Sequence, residues 1–270
     1  MPEAAVPGSP GPRASAPVLR VPVLRVEDLD VSFGFGARRR PVLHGVSLSV
    51  SAGRTLGLVG ESGSGKSTVA KAVVGLVRPQ RGRVLLDGVD LADAGKVRLR
   101  GLRRRIQLIP QDPYASLNPR MTVGEALAEA IDPRRGRFAE HRSRIEALLA
   151  QVALDPSAAD RYPAAFSGGQ RQRVAIARAL AVEPEVIIAD EVTSALDCSV
   201  QAEVLRVLAD LRRASGLTML FISHDLAVVR HVSDEVAVMS GGRIVEHAER
   251  DTLFGAPSHP YTQQLLASVP

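Results

Sequence analysis

The stretch GESGSGKST, residues 60–68, gathers the residue types that hold phosphate. Glycines 60, 63 and 65 let the backbone turn so that its N–H groups point inward at phosphate oxygens. Lys66 sets a point charge where β- and γ-phosphates would lie, and Ser67 offers a hydroxyl to Mg²⁺. A second cluster follows an apolar run. In EVIIADE (185–191), Asp190 and Glu191 arrive together after Val186, Ile187 and Ile188. Adjacent carboxylates at the end of a buried strand are costly unless something positive meets them, and Mg²⁺ is the natural partner. Asp190 would hold the metal through water, and Glu191 would polarise an attacking water as general base.

Three more groups complete the chemistry. His224 follows LTMLFIS and Gln111 ends RRIQLIPQ. A lone histidine is usually structural. Here several such features fall at the carboxyl ends of expected strands, where open α/β sheets bind ligands, so both residues read as γ-phosphate contacts. FSGGQRQRVAIARAL (166–180) is a second glycine-rich turn running into a helix. Ser167 serves as N-cap and hydroxyl donor, and Gly168 and Gly169 allow close backbone approach to an anion at the helix N-terminus. One chain therefore carries two phosphate-binding ends. A small-molecule kinase or a GTPase has no need of the second.

Positioning these groups requires strands that end where the chemistry begins. LRVEDLDVSF (24–33) and LHGVSLSV (43–50) alternate apolar and polar residues, as half-exposed strands do. RTLGLVG (54–60) is a short apolar run, and GKSTVAKAVVGL (65–76) has helical spacing; strand, glycine loop and helix are the context a phosphate loop needs. RGRVLLDGVDL (81–91) reads as a hairpin and RRIQLIPQ (104–111) as a strand. From Asp112 to about 168 the texture becomes helical, with TVGEALAEAI and RIEALLAQVAL as helices of an insert. A helix (170–182), strand EVIIADE, a long helix (199–215), strand LTMLFIS (217–223), a short helix and a hairpin (234–247) follow. The alternation argues for a largely parallel sheet covered on both faces.

With these motifs in place, the chain resembles the ATP-binding cassette (ABC) ATPases over roughly residues 24–250. Ser167, Gly168, Gly169 and Gln170 look like that family's signature motif. The resemblance implies an α/β P-loop cassette: a mainly parallel core sheet, an antiparallel β subdomain and an α-helical subdomain insert. It makes Gly60, Glu61, Ser62, Gly63, Ser64, Gly65, Lys66, Ser67 and Thr68 the Walker A loop and Gln111 the Q-loop. Asp190 and Glu191 become Walker B with its catalytic glutamate, and Ser194–Asp197 the D-loop. His224 becomes the switch histidine, catalytic together with Glu191. ATP and Mg²⁺ are the implied cofactors, the metal near Ser67, Gln111 and Asp190, with Asp197 also at the nucleotide. Two cassettes would face head to tail, each ATP lying between one Walker A and the other's signature. Phe35 aligns with the aromatic that stacks on adenine, and Phe33 reads as a core strand residue. Two departures stand out: Phe166 where leucine is commonest, and Val192 where many members have proline.

Composition bounds the rest. The chain has 270 residues, 45% of them hydrophobic and 3% aromatic, so its core is mainly Ala, Val, Leu and Ile. One cysteine, Cys198, excludes an intrachain disulfide framework and a cysteine-built metal site. The net charge of +5 is nearly all arginine and reads as a solvated surface rather than a nucleic-acid interface. No apolar run approaches the ~18 residues of a membrane span. Residues 1–20, rich in Pro, Ala, Gly and Ser, read as a disordered arm without a signal peptide.

QDPYASLNPRMTVGEAL (111–127) and the ending HPYTQQLL (259–266) resemble the oligopeptide, dipeptide and nickel importer branch. The expected organisation is an arm (1–20), an ATPase domain (21–250, helical subdomain about 112–168) and a helical tail (251–270) packing through Leu265, Leu266 and Val269. The tail lacks the cysteine-bearing extension of some relatives, so no iron–sulfur cluster is expected. That branch implies a peripheral ATPase on the cytoplasmic face of the membrane. Its partners would be a second ATPase (the same or different), two permease subunits and an extracytoplasmic solute-binding protein, with no nucleic acid. The alternatives are a soluble cassette of a phosphonate-degrading type of enzyme complex, and a DNA-maintenance or translation ATPase.

Overall fold

The computed structural model describes residues 22–34 and 36–268. Its centre is a six-stranded sheet in the order β10-β9-β3-β8-β7-β6. The strands are β3 (Thr55–Val59), β6 (Ile106–Ile109), β7 (Val186–Asp190), β8 (Thr218–Ile222), β9 (Glu235–Ser240) and β10 (Arg243–Glu249). All neighbours pair in parallel except the edge hairpin β9–β10. The central strands β3, β7 and β8 are buried along their whole length because both faces are covered, whereas the edge strand β10 is largely polar. Val186, Ile188, Leu220, Ile222, Ala237 and Met239 enter one core, while Ile187, Ala189, Met219, Phe221, Val236 and Val238 enter the other.

The first core is closed by helix α1 (Lys66–Val73) and a second, antiparallel sheet. That sheet runs β2-β1-β4-β5, from β1 (Pro22–Phe33), β2 (Arg40–Ser51), β4 (Arg81–Leu86) and β5 (Val89–Asp90). Along β1 the buried positions are Leu24 and Val26, then Leu29 and Val31. The phase slips by one at Asp28, which has a φ of 50° where the pairing with β2 is irregular. The strand end does not stay in the core. Phe33, expected there, is 46% exposed, because a further irregularity between Val31 and Ser32 carries the last pairs, Ser32–Pro41 and Phe33–Arg40, to the surface. Phe35, the expected adenine partner, lies outside the described residues.

The second core joins the sheet to helices α3 (Val123–Ile131), α4 (Phe138–Gln151), α5 (Gly168–Leu180), α6 (Cys198–Ser215), α7 (Leu226–Val232) and α8 (Arg250–Gly255). Thr122 opens α3 with a reciprocal capping box to Glu125. One helix escapes the sequence reading. In α2 (Lys96–Arg105) basic residues occupy most positions and Leu102 is its buried anchor, so no apolar stripe announces it. The chain closes with α9 (Pro260–Ala267), whose Tyr261, Leu265 and Leu266 pack against the second core; Val269 lies outside the described residues.

Candidate functional site

Four parallel strands end on one side of the sheet, and each delivers part of the site. β3 runs into the glycine loop. A Cβ at Gly60, where φ is 151°, would fall 2.1 Å from the Met239 carbonyl oxygen, so only glycine fits that turn. The tip, Glu61–Gly63, is exposed, while Ser64, Gly65 and Lys66 are buried as α1 begins. The Lys66 ammonium donates to the carbonyls of Gly60 and Glu61, both at 2.8 Å. Burial lowers its pKa, and the charges of Glu191 and Asp190 oppose that.

β7 brings Asp190 to the same helix start. The Ser67 hydroxyl donates to Asp190 Oδ1 at 3.0 Å. Asp190 is 6% exposed, and burial raises its pKa against the bond from Ser67. The next residue turns sharply. Glu191 has a φ of 49°, a left-handed conformation that costs a non-glycine residue energy, and its N–H is held by the Ile222 carbonyl at 2.9 Å. Val192 behind it is buried. The turn aims the Glu191 carboxylate at the ends of β6 and β8. Gln111 Nε2 donates to Glu191 Oε2 at 3.0 Å and to the Ser194 hydroxyl at 3.2 Å. His224 Nδ1 stands 3.7 Å from Glu191 Oε1. The Ser194 hydroxyl also donates to the Glu191 carbonyl at 3.0 Å.

The second glycine turn forms a separate end. Ser167 caps α5: its hydroxyl accepts from Gln170 N at 3.3 Å, and Gln170 Oε1 accepts from Ser167 N at 3.0 Å. Asp197 caps α6, accepting from Val200 N at 3.0 Å and the Ser199 hydroxyl at 2.7 Å; these bonds lower its pKa. The two helix starts are pressed together. A Cβ at Gly169 would sit 2.0 Å from Val200 Cγ1. Gly60–Thr68, Gln111, Asp190, Glu191 and His224 therefore form one cluster, and Ser167–Gln170 with Asp197 form another. One contact carries no sequence signal of its own. The Tyr261 hydroxyl, from the distant tail, accepts from Glu61 N at 3.2 Å.

Phosphate loop, acidic strand end and capped second turn on this sheet define a nucleotide-binding P-loop cassette. The ABC transporter family matches residues 43–194, and the chain belongs to it. It is 52% identical over 83% of its length to a probable peptide ABC transporter ATP-binding protein of Sinorhizobium fredii, spanning 64% of that protein, just under two thirds. It is 50% identical over 84% of its length to an oligopeptide transport ATP-binding protein of Bacillus subtilis, covering 69% of that one. Among solved structures, a TM-score of 0.76 relates it to cbiO1 of Clostridium perfringens, part of the cbiONQ ABC transporter complex. That likeness is 28% identical and covers 87% of this chain and 91% of that one. An ATP-binding cassette dimer in a post-hydrolysis state, bound to ADP and Pi, gives a TM-score of 0.75 at 30% identity, covering 84% of this chain and 98% of that one. The resemblance found in the motifs thus extends to the family and to its peptide-transport branch.

Proposed function

We propose that the chain is the ATP-hydrolysing subunit of a peptide importer. The observation that carries the hydrolysis is the meeting of Lys66, Ser67, Asp190, Glu191, Gln111 and His224 at the ends of four neighbouring strands. The substrate class follows the relatives named for peptide and oligopeptide transport.

The cradle suits a nucleotide triphosphate. Lys66 is buried with two carbonyl partners, and its charge serves the β- and γ-phosphates. Ser67 and Asp190 put a hydroxyl and a buried carboxylate 3.0 Å apart, a hard-oxygen donor pair that fits Mg²⁺. The metal, when bound there, would neutralise charge developing on the phosphates. Glu191 is the general base, Gln111 donates to its carboxylate, His224 stands 3.7 Å away as a γ-phosphate contact, and Ser194 holds Gln111. Ser167, Gly168, Gly169 and Gln170 present the second end to the nucleotide of a facing cassette, with Asp197 beside them.

The chain would work as part of a peripheral assembly on the cytoplasmic face of a membrane, with a second ATPase, two permeases and a solute-binding protein. Among the described residues no helix is long and apolar enough to cross a membrane, so the permeases would supply the path. Residues 21–250 would be the motor, with 112–168 receiving the permeases and 251–270 as a tail. The test is uptake of a labelled di- or oligopeptide by cells carrying this chain with its permeases. Glu191→Gln is expected to abolish ATP-driven uptake while the purified variant still binds ATP. Undiminished uptake, or recovery of the chain with soluble enzymes instead of permeases, would overturn the proposal.

A further inference from the structure

The tail does more than cover the second core. We propose that Tyr261 is a positioning residue for the phosphate loop, through which α9 presets Lys66 before nucleotide arrives. The inference rests on the reading of Gly60–Thr68 as the nucleotide cradle.

The peptide unit between Gly60 and Glu61 is pinned from both sides. Its carbonyl, the Gly60 oxygen, accepts from Lys66 Nζ at 2.8 Å. Its N–H, on Glu61, donates to the Tyr261 hydroxyl at 3.2 Å. A peptide group is planar, so fixing both of its polar ends fixes its rotation about the chain. That rotation decides where the Gly60 carbonyl points, and the carbonyl is one of the two acceptors that place the Lys66 ammonium. Glu61 lies at the exposed tip of the loop, where few other contacts restrain it.

Tyr261 can act as a restraint because its own base is fixed. Glu246 of β10 accepts from Ser258 N and the Ser258 hydroxyl, both at 2.8 Å, and from His259 N at 3.0 Å. His259 Nδ1 then caps α9 by accepting from Tyr261 N at 3.1 Å. The Tyr261 ring, Leu265 and Leu266 pack on the core. The path from sheet edge to loop therefore runs through Glu246, Ser258 and His259, then Tyr261, then Glu61.

The test compares the full chain with Tyr261→Phe in two measurements. Amide hydrogen exchange is followed without nucleotide, and MgATP affinity is measured by titration. Removing one hydroxyl is expected to speed exchange at the Glu61 amide about tenfold and to weaken MgATP binding about three- to tenfold, the scale of one lost hydrogen bond. Exchange at Leu220, in the core of β8, should not change. Glu246→Gln loosens the other end of the path and should move the same two readouts in the same direction. Unchanged Glu61 exchange or unchanged affinity in Tyr261→Phe would overturn the proposal. So would equal loss of protection at Leu220, which would make Tyr261 a general packing residue. Failure of the unaltered chain to bind MgATP would bring down the cradle itself, and this inference with it.

Discussion

Glu191 carries a local backbone cost in the site. It holds a left-handed backbone at a position without glycine, and its peptide is tied to β8. The reward is direction: the carboxylate reaches Gln111 and His224 instead of following β7 back along the sheet. Glu191→Gln keeps the shape and removes the carboxylate proposed as the general base. Phosphate release from MgATP by the active assembly should fall about 10²- to 10⁴-fold while nucleotide binding persists. Lys66→Ala should instead abolish binding itself, read by titration with labelled ATP. The residue types at this site were legible because each motif is local: a glycine loop, two acids after an apolar run, a histidine after another. The conformation was not. A positive φ at a glutamate has no marker in sequence, since the Ile222 carbonyl that holds it belongs to a strand over thirty positions away. Phe33 departs from the burial its strand position implies for a related reason. Alternation along β1 promised burial, but burial at a strand end depends on bulges set by pairing with β2.

Elements hold these residues by close approach and by caps, and both can be tested. Gly169 lets the start of α5 lie against Val200 of α6, which ties the second glycine turn to Asp197. Gly169→Ala would push the two helices apart and should destabilise the chain by about 1–3 kcal/mol in urea unfolding. Val200→Ala should restore much of that loss, because the interfering Cγ1 is gone. The tail anchor predicts a pH dependence. Burial pushes the Glu246 carboxyl up, but the Thr262 hydroxyl beside it and the bonds from Ser258 and His259 outweigh this, bringing it from 4.5 down to about 2. A carboxylate depressed on folding stabilises the native state fully above its unfolded value and loses that contribution as pH falls through the folded one. The gap in melting temperature between the unaltered chain and Glu246→Gln should therefore be constant above pH 4.5 and close as pH falls towards 2. The helix that sequence missed, α2, shows where reading by pattern ends. It is fixed by tertiary contacts such as Leu102 in the core and Arg105 bridging Asp87 and Glu185. None of these partners is visible in the local run KVRLRGLRRR.

At the scale of the molecule, the glycine loop at 60–68 and the second glycine turn at 167–170 make separate sets of hydrogen bonds. Ser167 and Gln170 bond to each other in a capping box, while the phosphate loop faces Asp190, Glu191 and the tail. On the proposed reading a closed site needs a second cassette, and one structural relative was solved as a dimer bound to ADP and Pi. The consequence can be measured as mass in solution. Glu191→Gln should bind MgATP and, unable to hydrolyse it quickly, hold any closed pair together, so that mass doubles with nucleotide and returns when nucleotide is removed. Adding Ser167→Arg to that variant places a bulky cation in the second end. It should abolish the doubling while leaving ATP binding intact, because the phosphate loop lies elsewhere in the same chain. Doubling that survives Ser167→Arg would mean that the pair forms through another surface, and the head-to-tail arrangement would fall. A Glu191→Gln chain that binds MgATP yet stays single would instead show that this cassette closes only against a different one. In that case the facing Ser167 equivalent belongs to another ATPase, and adding that subunit should restore the nucleotide-dependent rise in mass.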